Sequence, residues 1–358
     1  MRIDRISTVA ELDAERDRWE QLERRDDHAT VFMTWKFFRA YIGASRYRVF
    51  VLALRDGDET IAYLPLAAGG SLFDRELFLG GNPTADYAGM LALPERADEA
   101  LTAFAEALLD EPWDAFNVLD VADPRLETLV QRLVAHGAKL AETFEHCGVS
   151  CELPDSWETY INERISSKTR VNTVRVERRM AEALPGFSIS EPTAETLDRH
   201  IDAMIEVNHA RWGGSLRNAK RRYGVLFRHA FELGIVRMFV YWDGDRPIAG
   251  ATAFVDKLRS SFGLYMIGFD EEYEKLSPGK GIVGRAIRAA IEDGYRNFDF
   301  LRGDEPFKLR YATDRRVTAS YRVVRPGLRA AAIAWSRPKL LALKLHLANI
   351  VYGPGRVA

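Results

Sequence analysis

The segment Tyr265–Tyr311, YMIGFDEEYEKLSPGKGIVGRAIRAAIEDGYRNFDFLRGDEPFKLRY, decides how this 358-residue chain is read. It predicts a strand ending in Gly268-Phe269-Asp270, a turn at Ser277-Pro278-Gly279-Lys280-Gly281, and a helix from about Ile282 to Gly294. A second strand, Asn297–Leu301, leads into the loop Arg302-Gly303-Asp304-Glu305-Pro306. A glycine-rich turn that opens a helix gathers free backbone N–H groups and the positive end of the helix dipole at one spot, which suits a phosphate or pyrophosphate. Ser277, Gly279, Lys280, Gly281 and Ile282 are therefore the candidate anion cradle, with Lys280 adding charge. The competing reading is a Pro-Gly helix start that holds no ligand.

Charge is distributed unevenly around this segment. The net charge is only −2, which argues against DNA binding by bulk charge. Yet no acid follows Asp314, while that tail carries nine Lys and Arg residues from Arg315 to Arg356. Asn208–Ala230 is also free of acids, and Arg164–Arg179 is a third basic run. All three lie in the second half, which suggests an anionic ligand or surface there. The competing reading is a set of solvated helix faces.

Composition adds bounds. Apolar content of 47% and charged content of 28% are ordinary for a globular protein, and the length suits two domains. Cys147 and Cys151 form neither a disulfide framework nor a zinc motif. No metal-ligand cluster is visible. No signal peptide and no apolar run long enough to span a bilayer can be read, so a cytoplasmic location is expected. The tail segment KLLALKLHLANIVY, Lys339–Tyr352, is basic and amphipathic. It reads either as a peripheral anchor on an anionic membrane surface or as a helix docked on the core.

Taken in order, each half gives two helices, strands joined by an Asp-Gly-Asp hairpin turn (Asp56–Asp58, Asp243–Asp245), a helix, a strand and a last strand. This predicts a mixed α/β chain built by internal duplication. The expected domains are 1–155 and 156–325, with one long charged helix over 156–184 between them and a basic tail over 326–358.

Polar residues suited to chemistry lie in four places. Asp304 and Glu305, with Lys308 and Tyr311, follow a strand predicted to be buried, at the end where α/β sheets place ligands. Asp86 and Tyr87 follow a Gly-Gly-Asn-Pro-Thr loop; Asp86 is a candidate base and Tyr87 a candidate oxyanion donor. His209 is a further candidate base, with Arg211 and Trp212 shaping a pocket beside it. Tyr265 points into the same cleft by strand alternation. The plainer readings are salt-bridged turns, an Asx turn, a helix-end histidine and core tyrosines.

Several motifs occur together: DGDRPIAG at Asp243–Gly250, YMIGFD at Tyr265–Asp270, Ser277-Pro278-Gly279, and FDFLRGDEPFK at Phe298–Lys308. This series resembles the CelD/BioF2-like group of GNAT acyltransferases, and more distantly FemA/FemX-type transferases. In the first half the resemblance rests on Phe32–Trp35 and Gly80–Tyr87. Ordinary GNAT proteins carry Arg/Gln-x-x-Gly-x-Gly/Ala at the phosphate turn, where this chain has only Ser277-Pro-Gly279-Lys-Gly281. The resemblance implies two tandem GNAT-like domains and N-acyl transfer from a thioester to an amine. The donor would be acyl-CoA or an acyl carrier protein, used as co-substrate with no bound cofactor and no metal. It also implies a substrate-binding role for Trp35. The acceptor reads as a long-chain amine or envelope-lipid precursor, or as an amino sugar of exopolysaccharide synthesis. Aminoacyl transfer from tRNA and a non-catalytic scaffold are the other readings.

Overall fold

The computed structural model describes residues 1–71, 74–212 and 215–326, with the side chains of Arg211 and Trp212 excluded. The proposed tail segment, from residue 327 on, lies outside the described residues.

Alternating apolar and polar residues fold the first half into β1 (Arg2–Ile6), α1 (Val9–Ala14), α2 (Arg16–Arg25), α3 (Trp35–Ala44), β2 (Arg48–Asp56), β3 (Glu59–Ser71) and β4 (Asp74–Leu79). There follow β5 (Leu91–Ala92), α4 (Ala97–Asp110), β6 (Ala115–Val121), α5 (Arg125–Ala135) and β7 (Lys139–Glu152). The second half holds the short turn α6 (Trp157–Thr159), α7 (Ser167–Val174), α8 (Val176–Ala183), β8 (Phe187–Ser190), α9 (Leu197–Trp212) and α10 (Leu216–Glu232). It ends with β9 (Val236–Asp243), β10 (Arg246–Asp256), β11 (Ser261–Phe269), α11 (Pro278–Glu292), β12 (Asn297–Arg302) and β13 (Asp314–Val324).

Among the described residues the strands form one sheet in the order β1-β2-β3-β4-β6-β13-β7-β12-β11-β10-β9-β8, with β5 beside β3. The order reads alike from both ends. Its parallel pairs, β4 with β6 and β11 with β12, fall at matching places, and the other pairs are antiparallel. The two long strands cross over: β13 lies between β6 and β7, and β7 between β13 and β12. Each central strand bulges at a left-handed non-glycine residue, Asp120 (φ 52°) in β6 and Leu301 (φ 59°) in β12. Apolar side chains on the sheet faces pack into two large clusters, one centred on Trp19, Phe37, Tyr63 and Phe104, the other on Tyr241, Ile287 and Phe298.

The segment over 156–184 is not one helix. A turn of π-helix, Tyr160–Arg164, follows α6, and Ile165 is extended at φ −124° and ψ 151°. Ser166 then caps α7, its hydroxyl accepting from the Thr169 N–H at 3.2 Å, and a second break falls at Arg175. Burial of Tyr160, Ile165, Val176 and Met180 against the second cluster outweighs helix propensity here. Two predicted strands, around 139–144 and 149–153, are one strand, β7, because β13 pairs with it over almost its whole length.

Candidate active site

The site forms where the sheet opens. β11 and β12 pair only through Ser261–Gly263 and Asn297–Asp299. Beyond Gly263, β11 runs on to Phe269 without a partner on that side, so the two strands splay. Its register against β10 slips between Leu264 and Met266, which makes Tyr265 the extra residue of a bulge. The Tyr265 hydroxyl donates to the Thr84 carbonyl at 2.7 Å, tying the loop after β4 to the bulge. Gly268 permits α9 to cross at this point: a Cβ there would lie 2.4 Å from the Val207 carbonyl oxygen.

Two cavities line the splay. One, of about 240 Å³, is walled by Ile267, Phe269, Ser277, Pro278, Gly279, Lys280, Phe307, Arg310 and Tyr311 among others. It sits at the start of α11, which begins at Pro278, four residues before the sequence suggested. Ser277 precedes that helix in the left-handed region (φ 60°). The other cavity, of about 290 Å³, is walled by Asp86, Asn208, Tyr265, Arg302, Glu305 and Lys308 among others, and shares Ile267 and Phe307 with the first. The cavity at the helix start thus adjoins the one at Asp86.

The sequence candidates divide accordingly. Asp86, Tyr265, Glu305 and Lys308 line one cavity, and Ser277, Gly279, Lys280 and Tyr311 line the next. Gly281 and Ile282 line neither of these cavities. A Cβ on Gly281 would lie 2.6 Å from Val176, so this glycine serves close packing of α11, and Ile282 is core. Asp304 is exposed and lines neither cavity. Trp35 is buried between α1 and α3, away from the splay, its indole N–H donating to the Leu12 carbonyl at 3.0 Å. His209 lines a third, larger cavity next door. The side chains of Arg211 and Trp212 lie outside the described residues.

Asp86 accepts a hydrogen bond from the Arg302 N–H at 3.3 Å. Burial raises its pKa above the ordinary aspartate value, partly offset by the Arg302 charge. Glu305 by contrast is ion-paired with Lys308 at 2.9 Å, and the Lys308 ammonium also donates to the Arg302 carbonyl. Beneath Asp86, the Tyr87 hydroxyl donates to Asp299 at 3.2 Å, and the Leu301 N–H donates to the same carboxylate oxygen at 2.7 Å. Burial pushes Tyr87 well up and raises Asp299 too, so the tyrosine is a neutral donor. The Arg316 guanidinium lies 5.2 Å from the Tyr87 ring centre.

Sequence reading missed Asp299, Arg302 and Asn208. Asp299 carried a signal: a carboxylate between Phe298 and Phe300 in a buried strand needs partners. Asn208 donates to the Ile267 carbonyl at 3.0 Å and carried no signal, since its position depends on where α9 crosses β11.

The matching gap in the first half is closed. The Asn82 side chain bridges it, donating to the Ala85 and Leu119 carbonyls at 3.3 and 3.4 Å and accepting from the Leu119 N–H at 3.4 Å.

Comparison with known proteins bears on the fold. Residues 167–309 match the family model described as Acetyltransferase (GNAT) domain. A search of curated proteins found no significant match. Among solved structures, FemX is similar over 94% of this chain and 99% of its own, with 12% identity and a TM-score of 0.61. A tandem GNAT protein from the clavulanic acid biosynthesis pathway is similar over 91% and 100%, with 10% identity and a TM-score of 0.55. L-PGS from Bacillus licheniformis is similar over 93% and 97%, with 11% identity and a TM-score of 0.51. The chain has the mixed α/β fold of two tandem GNAT-like units, and the sequence of its second half matches the GNAT acetyltransferase domain.

Proposed function

We propose that the chain transfers an acyl group from a thioester, most simply acyl-CoA, to an amine. The observation that carries this reading is the splay between β11 and β12, which joins the α11 start to Asp86. The donor's pyrophosphate lies against the first turn of α11, where Gly279 and Lys280 supply an N–H and a charge. The pantetheine arm runs along the free edge of β11 between Phe269 and Phe307, and β11 N–H groups there bond the thioester oxygen. An acyl carrier protein presents the same arm.

The amine enters from the opposite side, past Tyr265. Its nitrogen attacks the thioester carbon, and the C–N bond forms as the C–S bond breaks. Asp86 takes the ammonium proton and returns it to the departing thiolate. Asp86 suits this role better than Glu305 because, among the described residues, no cationic side chain is paired with it directly, and burial raises its affinity for a proton. The first half holds no donor, since Asn82 fills the matching gap. It contributes Asp86 instead. The units over 1–155 and 156–325 therefore act as one enzyme.

A panel of acyl-CoA donors and amines, followed by release of free thiol, tests this. Amine-dependent thiol release that survives RNase supports it. RNase-sensitive transfer from aminoacyl-tRNA, with none from any acyl-CoA, overturns it.

A further inference from the structure

The third cavity is the largest of the three, about 800 Å³, and has no role so far. It opens off the Asp86 cavity, with which it shares Pro83, Thr84, Asn208 and Tyr223. Arg46, Arg221, Arg222 and His209 stand in its walls, and among the described residues no Asp or Glu does. On the same α10 helix, Lys220 and Arg228 are matched by Asp202 and Asp198. Among the described residues Arg46, Arg221 and Arg222 have no such acid. Arg46 donates to the Tyr47 hydroxyl at 2.7 Å, which leaves its charge unneutralised. Arg222 lies 5.0 Å from the Tyr223 ring centre, and its Nε is buried without a hydrogen-bond partner.

We infer that this cavity binds a phosphate or diphosphate group carried by the acceptor. The inference rests on the acyl-transfer reading above and narrows the acceptor to a phosphate-bearing amine. Guanidinium forks pair with phosphate through two parallel N–H bonds, and three of them around one space suit more charge than a single carboxylate brings. Ser45 and Asn218 add neutral donors to the same wall. With its phosphate held here, the acceptor extends past Thr84 and Tyr223, and its amine reaches Asp86. A plain hydrocarbon amine matches this wall poorly, because it would desolvate three cations and pair none.

The test is calorimetric titration of inorganic pyrophosphate into the full chain, with and without saturating CoA. Pyrophosphate is expected to bind while CoA is present. Its affinity should fall at least about tenfold in R221A/R222A, as expected when charge-assisted hydrogen bonds are removed. R46A, on a different segment, should weaken it independently. Both variants should melt as the parent does, since Arg46 and Arg221 are exposed and Arg222 is partly so. Complete displacement of pyrophosphate by CoA, or unchanged affinity in both variants, would overturn the inference. Failure of CoA itself to bind, with arginine-dependent pyrophosphate binding intact, would instead remove the donor assignment and leave this cavity standing.

Discussion

At the scale of single residues, the proposed chemistry turns on a carboxylate whose environment favours its protonated form. Asp86 has its pKa raised mainly by burial. A base must be deprotonated to act, so turnover should climb with pH through that raised pKa and then level off. Replacing Asp86 with Asn should cut the rate by about 10²–10⁴-fold and abolish that rise, as a pH–rate profile would reveal. The same shift has an opposite consequence for stability. A carboxylate with a raised folded pKa adds stability below its unfolded pKa and loses it as pH rises through the folded value. The D86N chain should therefore melt above the parent at neutral pH and converge with it in acid. Asp86 and Tyr265 could be singled out in the sequence, beside a Gly-Gly-Asn-Pro-Thr loop and on a strand ending at a glycine, and the structure brings both to one cavity. The place of Trp35 could not be read, since an aromatic in an amphipathic helix looks the same whether it faces a ligand or the core. Here it is buried beside α1, in the wall of a separate cavity that Asp13, Arg16 and Arg39 also line.

At the scale of elements, periodicity fixed helices and strands well where one face is buried, as in α5 and β6, and failed where packing overrides propensity. The charged segment over 156–184 looks like one helix by composition, but four apolar residues must reach the second cluster, and the chain breaks twice to deliver them. The turn before α11 was legible as a glycine-rich helix start, though its two glycines differ in purpose: Gly279 faces the cavity and Gly281 lets α8 approach. Contact between elements of the two halves also produces a pH-sensitive junction. Glu23 on α2 accepts from the Trp35 N–H at 3.2 Å, while Arg259, from the turn before β11, bonds the Glu23 carbonyl. Burial raises the Glu23 carboxyl to about 7. The stability this group supplies is full below its unfolded value of 4.5 and is lost as pH rises through about 7. Glu23→Gln should thus stabilise the chain at pH 8, by no more than about 3 kcal/mol, and leave it nearly unchanged at pH 4. Denaturant melts at the two pH values would check this.

At the scale of the whole molecule, duplication was readable from the repeated order of elements, but the crossing of β7 and β13 was not. Strand order depends on long-range pairing, which leaves no local pattern in sequence. Its consequence is mechanical. With β13 seated between β6 and β7, a fragment ending at residue 155 would lose the strand that joins them and expose their edges. The full chain should unfold in one calorimetric transition, and fragment 1–155 expressed alone should aggregate or fail to give a cooperative melt. Two separate transitions would show that the halves fold independently. The duplication also accounts for the proposed division of labour: the open gap would take the donor, while the other is bridged by Asn82 and sends its loop across with Asp86. Amide hydrogen exchange with and without CoA distinguishes which of the two gaps takes the thioester. Slower exchange at 264–269 and 277–283, with little change at 91–110, is the predicted result. No protection in the second half, or protection confined to 91–110, would contradict it.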